Sequence, residues 1–178
     1  MGYNKASKRI LFTETIEQKI AIRNAIKELA NTAQWDAIGV TLNHRMFHVF
    51  PGAGRVDPID CSTNLRHFLN RLNRSIYGNQ ARKGLRKLRV LPVLERDKSG
   101  RYHYHLHLEQ PSDKSGVDLS YHIMSLWPKT RLALDGFGRR DRNDINLEVD
   151  QGWVAYMTKL RSKEEYGLAF DYLNFHNG

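Results

Sequence analysis

LRVLPVLERDKSGRYHYHLHLE, residues 88–109, is the stretch on which the reading of this chain turns. Two strand-like runs, LRVLPVLE (88–95) and RYHYHLHLE (101–109), are joined by RDKSG, a turn-rich segment of hairpin length. Side chains alternate faces along a strand, so His103, His105 and His107 share one face with Arg101 and Glu109. Tyr104, Leu106 and Leu108 share the other.

Outward from this hairpin the pattern alternates between helix and strand. On the N-terminal side, Ile16, Ile20, Ile22, Ile26 and Leu29 predict a helix from about Glu14 to Gln34. WDAIGVTLN (35–43) reads as a strand, and MFHVF (46–50) as a second one stopped by Pro51-Gly52. PGAGRVDPID (51–60) reads as a loop, after which Ser62 or Thr63 begins a helix buried through Leu65, Phe68, Leu69, Leu72 and Ile76. On the C-terminal side a helix is expected from about Leu119 to Trp127, ended by Pro128, then a strand INLEV (145–149). A last helix is expected from Gly152 to about Lys163, and EEYGLAFDYLNFHNG (164–178) is ambiguous. This order predicts an α+β fold, a central antiparallel sheet of about five strands flanked by helices. A single structural domain is expected, residues 1–34 forming an N-terminal extension and helix packed on a core of 35–178.

Twenty-eight Lys and Arg stand against nineteen Asp and Glu, a net charge of +9. Such a surplus favours a polyanionic partner, because each cation that pairs with a phosphate releases condensed counterions. The cations cluster as Arg82, Lys83, Arg86, Lys87 and Arg89, and again as Arg131, Arg139, Arg140 and Arg142. Cys61 is the lone cysteine, which argues for a reducing compartment. No apolar run is long enough for a bilayer and MGYNKASKRILFTET (1–15) holds no apolar signal region, so a cytoplasmic setting without membrane is expected.

Imidazoles two residues apart on a rigid strand can reach one ion, and neutral imidazole is a good ligand for divalent transition metals. Glu95 ends the preceding strand within reach of His103, completing a carboxylate-plus-imidazole set suited to Mn²⁺ or Mg²⁺. A polar, solvent-facing strand rich in histidine is the plain alternative. In the last helix Trp153, Val154, Met157 and Leu160 form an apolar arc, with Tyr156, Lys159 and Lys163 on its flank. A phenol with a pKa near 10 needs a cation or a metal-bound phosphate to act as a nucleophile at neutral pH. Otherwise Tyr156 is a boundary aromatic beside snorkelling lysines.

Taken together, these segments resemble the HUH endonucleases (U being a bulky apolar residue), specifically the single-tyrosine replication initiators, or Rep proteins, of rolling-circle phages, plasmids and small DNA viruses. GRYHYHLHLEQP (100–111) resembles their metal motif, with His103-Tyr104-His105 as the HUH. VAYMTK (154–159) resembles their catalytic helix, and GVTLN (39–43) loosely matches their first-strand motif. The resemblance implies a ferredoxin- or RRM-related sheet, metal ligands Glu95, His103 and His105, nucleophile Tyr156 and its companion Lys159. His107 supplies a competing register and a candidate additional ligand. The implied substrate is single-stranded DNA or a stem-loop origin in a bacterial host cell, with host replication machinery as a further partner. DNA contacts are expected from Arg82, Lys83, Arg86, Lys87, Arg89, Arg139, Arg140 and Lys163. Rivals are a transposase- or relaxase-type nuclease on the same site, a hydrolytic metallonuclease with Tyr156 idle, and a non-catalytic single-strand-binding domain.

Overall fold

The computed structural model describes residues 14–32, 35–50, 54–137, 143–159 and 169–177. In chain order its elements are α1 (Ile16–Thr32), β1 (Ala37–Asn43), α2 (Pro58–Tyr77), α3 (Asn79–Arg82), β2 (Val90–Arg96), β3 (Tyr102–Glu109), α4 (Gly116–Leu126), β4 (Asp144–Asn146) and α5 (Gln151–Met157). The strands form one antiparallel sheet in the order β2-β3-β1-β4. The α+β class holds, with four strands rather than about five among the described residues. The missing strand is MFHVF. Phe47 makes only an isolated bridge to Arg55, and the segment turns back on itself through Val56 N–H to Met46 O and His48 N–H to Gly54 O. Phe47, Val49 and Phe50 stay exposed, while Met46 and His48 are half-buried and His48 is tied to Asp60 rather than to a neighbouring strand.

Helix α2 begins earlier than its apolar stripe suggests. Asp57 accepts from the Asp60 N–H while the Asp60 carboxylate accepts from the Asp57 N–H, and Pro58 fills the first turn, where no N–H is required. Helix α4 likewise starts at Gly116, because Ser115 caps the Asp118 N–H, and Pro128 sits in a short 3₁₀ turn that follows. Asp150 caps α5 by accepting from Trp153 N–H. The helix ends at Met157 with Thr158 as its C-cap, short of the expected Lys163, and residues 160–163 lie outside the described residues.

Both faces of the sheet are covered. Ile38, Val40, Leu42, Tyr104, Leu106 and Leu108 pack on Leu65, Phe68 and Leu72 of α2 and on Leu119 and Ile123 of α4. On the opposite face, Leu91 and Val93 meet Ile26 and Ala30 of α1, and Trp153, Val154 and Met157 of α5. The histidine face is therefore roofed by two helices. Residues 169–177 run along the outer edge of β2, where Val90 and His176 exchange two backbone hydrogen bonds. That edge position accommodates Pro92, which has no N–H to give but accepts from Asp171 N–H.

Buried Asp171 ties this edge to the core, accepting from Tyr104 Oη at 2.7 Å, Ser62 Oγ at 3.1 Å and Asn174 Nδ2 at 2.7 Å. Burial, reinforced by the Asp171 charge, raises the Tyr104 phenol far above its ordinary pKa. Tyr104 is thus a structural phenol, although it stands between His103 and His105 in sequence.

Two stability predictions follow from packing on the two faces. A methyl group on Gly39 would lie 2.7 Å from Trp153 Cε2, inside the indole's contact surface. Gly39→Ala is expected to cost about 1–3 kcal/mol through overpacking and to push α5 off the sheet, read as a lowered Tm. An unchanged Tm would mean that Trp153 moves freely. On the other face, burial depresses the pKa of His44 from 6.5 to about 3. The unfolded chain then takes up a proton that the folded chain refuses, so stability falls as pH drops from 6.5 toward 3. The slope should approach about 1.4 kcal/mol per pH unit from this group. Denaturant midpoints measured against pH should flatten in His44→Asn, and parallel curves would contradict the assignment.

Candidate metal centre and adjacent tyrosine

Strand register assembles the centre. Glu95 of β2 lies opposite His103 of β3, and His105 lies between Val93 on one side and Thr41 of β1 on the other. One ligand atom from each of Glu95, His103 and His105 falls within 4.8 Å of the other two. Nε2 of His105 is 3.2 Å from Glu95 Oε2, and Nε2 of His103 is 3.6 Å from the same oxygen. His105 is fully buried and Glu95 nearly so, while His103 keeps some exposure.

The donor set fits a divalent cation. Thr41 Oγ1 engages Nδ1 of His105 at 3.1 Å. When Nδ1–H donates to that hydroxyl, the Nε2 lone pair faces the carboxylate and a cation between them satisfies both; in the other tautomer Nε2–H donates directly to Glu95. Ligand atoms that each sit about 2.1 Å from one small cation are about 3 Å apart at right angles, close to the observed separations. Thr41 was not legible as a site residue, because its partnership with His105 depends on the register of two strands distant in sequence.

Helix α5 brings the phenol to this cluster. The Tyr156 ring stands edge-on to His105 with centroids 4.9 Å apart, and beside Trp153 at 5.7 Å. Tyr156 is 46% exposed, so its ring joins a buried imidazole to solvent. Lys159 completes the group, its Nζ 3.3 Å from Glu95 Oε1 and 4.3 Å from the centre of the Tyr156 ring. The five residues expected as metal ligands, nucleophile and companion are thus neighbours. Trp153 holds the arrangement down by packing on Gly39 and on the His105 ring.

His107 does not join them. It lies opposite Gly39 and Leu91, its ring 5.9 Å from Trp35, in a cleft of about 800 Å³ also lined by Asp36, Gln110 and Asp150. Burial lowers its pKa. The 103/105 register is the one that gathers the carboxylate.

Among the basic residues, Arg82, Lys83, Arg86 and Lys87 are exposed. Arg86 stacks on Tyr77, and Arg89 pairs with Glu109 at 2.8 Å while lying over Trp35. Glu109 and His103 are six residues apart on β3, about 20 Å of extended strand. The 82–89 cluster therefore flanks the far end of the sheet from the candidate metal centre. Arg139, Arg140 and Lys163, with Arg142 and Tyr166, lie outside the described residues. Among the described residues no helix is long and apolar enough to cross a membrane.

No protein-family model, no curated protein and no solved structure matches this chain.

Proposed function

We propose that this chain is a metal-dependent endonuclease and strand transferase of the HUH type, which nicks and rejoins single-stranded DNA through one tyrosine. The observation that carries the reading is the placement of the Tyr156 ring against His105, with Lys159 spanning from Glu95 to that ring. An ammonium serves hydrolysis and strand transfer alike, whereas a centre that uses water has no need of a phenol.

Mn²⁺ or Mg²⁺ held by Glu95, His103 and His105 would supply Lewis-acid polarisation of the scissile phosphate. Tyr156 Oη attacks phosphorus in line, a P–Oη bond forms, and the P–O3′ bond breaks. The phenol proton ends on the departing 3′-oxygen, directly or through water at the exposed edge of the ring. Lys159 offsets the negative charge that builds up during the exchange. Thr41 fixes the His105 ring, and Trp153 shields the imidazole from solvent. The 5′-phosphotyrosine conserves the energy of the broken phosphodiester, so a later 3′-hydroxyl reverses the step and rejoins the strand without ATP.

A single tyrosine and a free 3′-end suit initiation of rolling-circle replication of a phage, plasmid or other small DNA element, acting at a stem-loop origin in a bacterial cytoplasm alongside host replication proteins. The test is incubation with end-labelled single-stranded DNA and Mn²⁺, followed by a denaturing gel. A protein-linked 5′ product that chelator prevents is expected. A free 5′-phosphate with no linked product points to hydrolysis, and an uncut strand across metals and sequences overturns the proposal.

A further inference from the structure

The end of the sheet that carries Glu95 and His103 also gathers arginines and bare aromatic rings from separate loops. Residues 46–48 and 54–56, between β1 and α2, are pinned to each other by two backbone bonds, and His48 Nε2 lies 2.9 Å from the Asp60 carboxylate. Despite this order Phe47 stays 56% and Phe50 62% exposed, which costs solvation and returns nothing to the core. Each ring has its own guanidinium, Arg55 at 5.5 Å from the Phe47 centroid and Arg131 at 5.1 Å from Phe50.

Arg55 reaches further, to the turn between β2 and β3, where its Nη2 is 3.5 Å from Ser99 O. A methyl group on Gly100 would lie 2.9 Å from Nη2 of Arg55 and 3.3 Å from Nη2 of Arg96. Two guanidiniums thus converge on the turn that links the Glu95 strand to the His103 strand. Guanidiniums set side by side present the forked N–H donors that suit phosphate oxygens. The Asp97 carboxylate shapes this turn by accepting from the Ser99 and Arg101 N–H groups.

We propose that Phe47, Phe50, Arg55, Arg96 and Arg131 form the platform that seats an unpaired DNA strand at the metal-centre end of the sheet. Phosphates lie on the guanidiniums and bases stack on the rings. The inference rests on the reading of single-stranded DNA as substrate, and adds where the strand lies and why it must be unpaired: a duplex hides the faces of its bases. Charge complementarity favours this occupant over a protein, since every exposed ring here carries a cation.

The test is fluorescence anisotropy with a labelled single strand, the same strand lacking bases, and the duplex. Wild-type protein should prefer the base-bearing single strand. Phe47→Ser/Phe50→Ser should lose about tenfold to a hundredfold on that strand and nothing on the abasic one, its thermal melt unchanged because both rings are exposed. Arg55→Ala should weaken both strands and reduce the salt slope by about one. A double variant that binds and nicks as wild type does overturns the platform and leaves the nicking enzyme standing. The same result with altered self-association assigns the patch to protein contact, which also overturns it. Failure of the wild-type protein to bind or cut any single strand defeats both proposals together.

Discussion

Tyr156→Phe is expected to bind single-stranded DNA with wild-type affinity and to leave it uncut. The substitution removes one oxygen from a ring that is half exposed and held by edge contacts with His105 and Trp153. Neither contact needs the hydroxyl, so fold and metal site should survive. The chemistry should not, because Tyr102, next to His103 in sequence, packs with Tyr104 on the apolar cluster of the opposite face. Tyr104 is locked to Asp171 on the opposite face. Loss of a covalent nucleophile costs several orders of magnitude, so strand cleavage should fall by at least about 10⁴-fold. Cleavage persisting within tenfold of wild type would mean that the centre hydrolyses DNA directly, with water as the nucleophile.

The second large effect separates chemistry from binding. His103→Ala removes a partly exposed ligand and Glu95→Gln removes the carboxylate on which both imidazoles and Lys159 converge. Cleavage should drop by about 10³-fold or more in each, with Mn²⁺ affinity falling in parallel by isothermal titration. Affinity for single-stranded DNA should change by less than about threefold, because phosphate contacts to Lys and Arg dominate binding. Equal losses of DNA affinity and cleavage would show these residues to be part of the binding surface alone. His105→Ala is the less clean probe, since its ring is fully buried beneath Trp153 and its removal opens a cavity.

The hairpin was readable because period-two alternation over residues 101–109 is a strong local signal, and the pairing of His103 with Glu95 across the turn followed from it. Tyr156 was readable from helical spacing, whereas Lys159 reaches Glu95 from beyond the Thr158 cap, where helical spacing no longer applies. What escaped is what depends on distant parts of the chain meeting. The histidine face reads as polar in sequence, yet α1 and α5 bury it, which is what makes a desolvated centre out of a histidine-rich strand. Thr41 finds His105 only through sheet register. The first turn of α2 was hidden because Asp57, Pro58 and Asp60 are turn formers that here act as a cap. MFHVF has strand composition but an exposed loop fold, and composition alone says nothing of which side will be covered. Arg55, Arg96 and Arg131 are scattered along the sequence, whereas the contiguous basic run at 82–89 lies at the far end of the sheet.

The claim on which the account stands is that a phenol, an ammonium and a three-residue cation site act on one phosphate. Mass spectrometric mapping of protein incubated with Mn²⁺ and single-stranded DNA, after protease and nuclease digestion, tests it most directly. A nucleotidyl adduct on the peptide holding Tyr156, absent when chelator is added, is the predicted result. Cut DNA with no adduct on that peptide, or an adduct on another tyrosine such as Tyr121 or Tyr172, would contradict it.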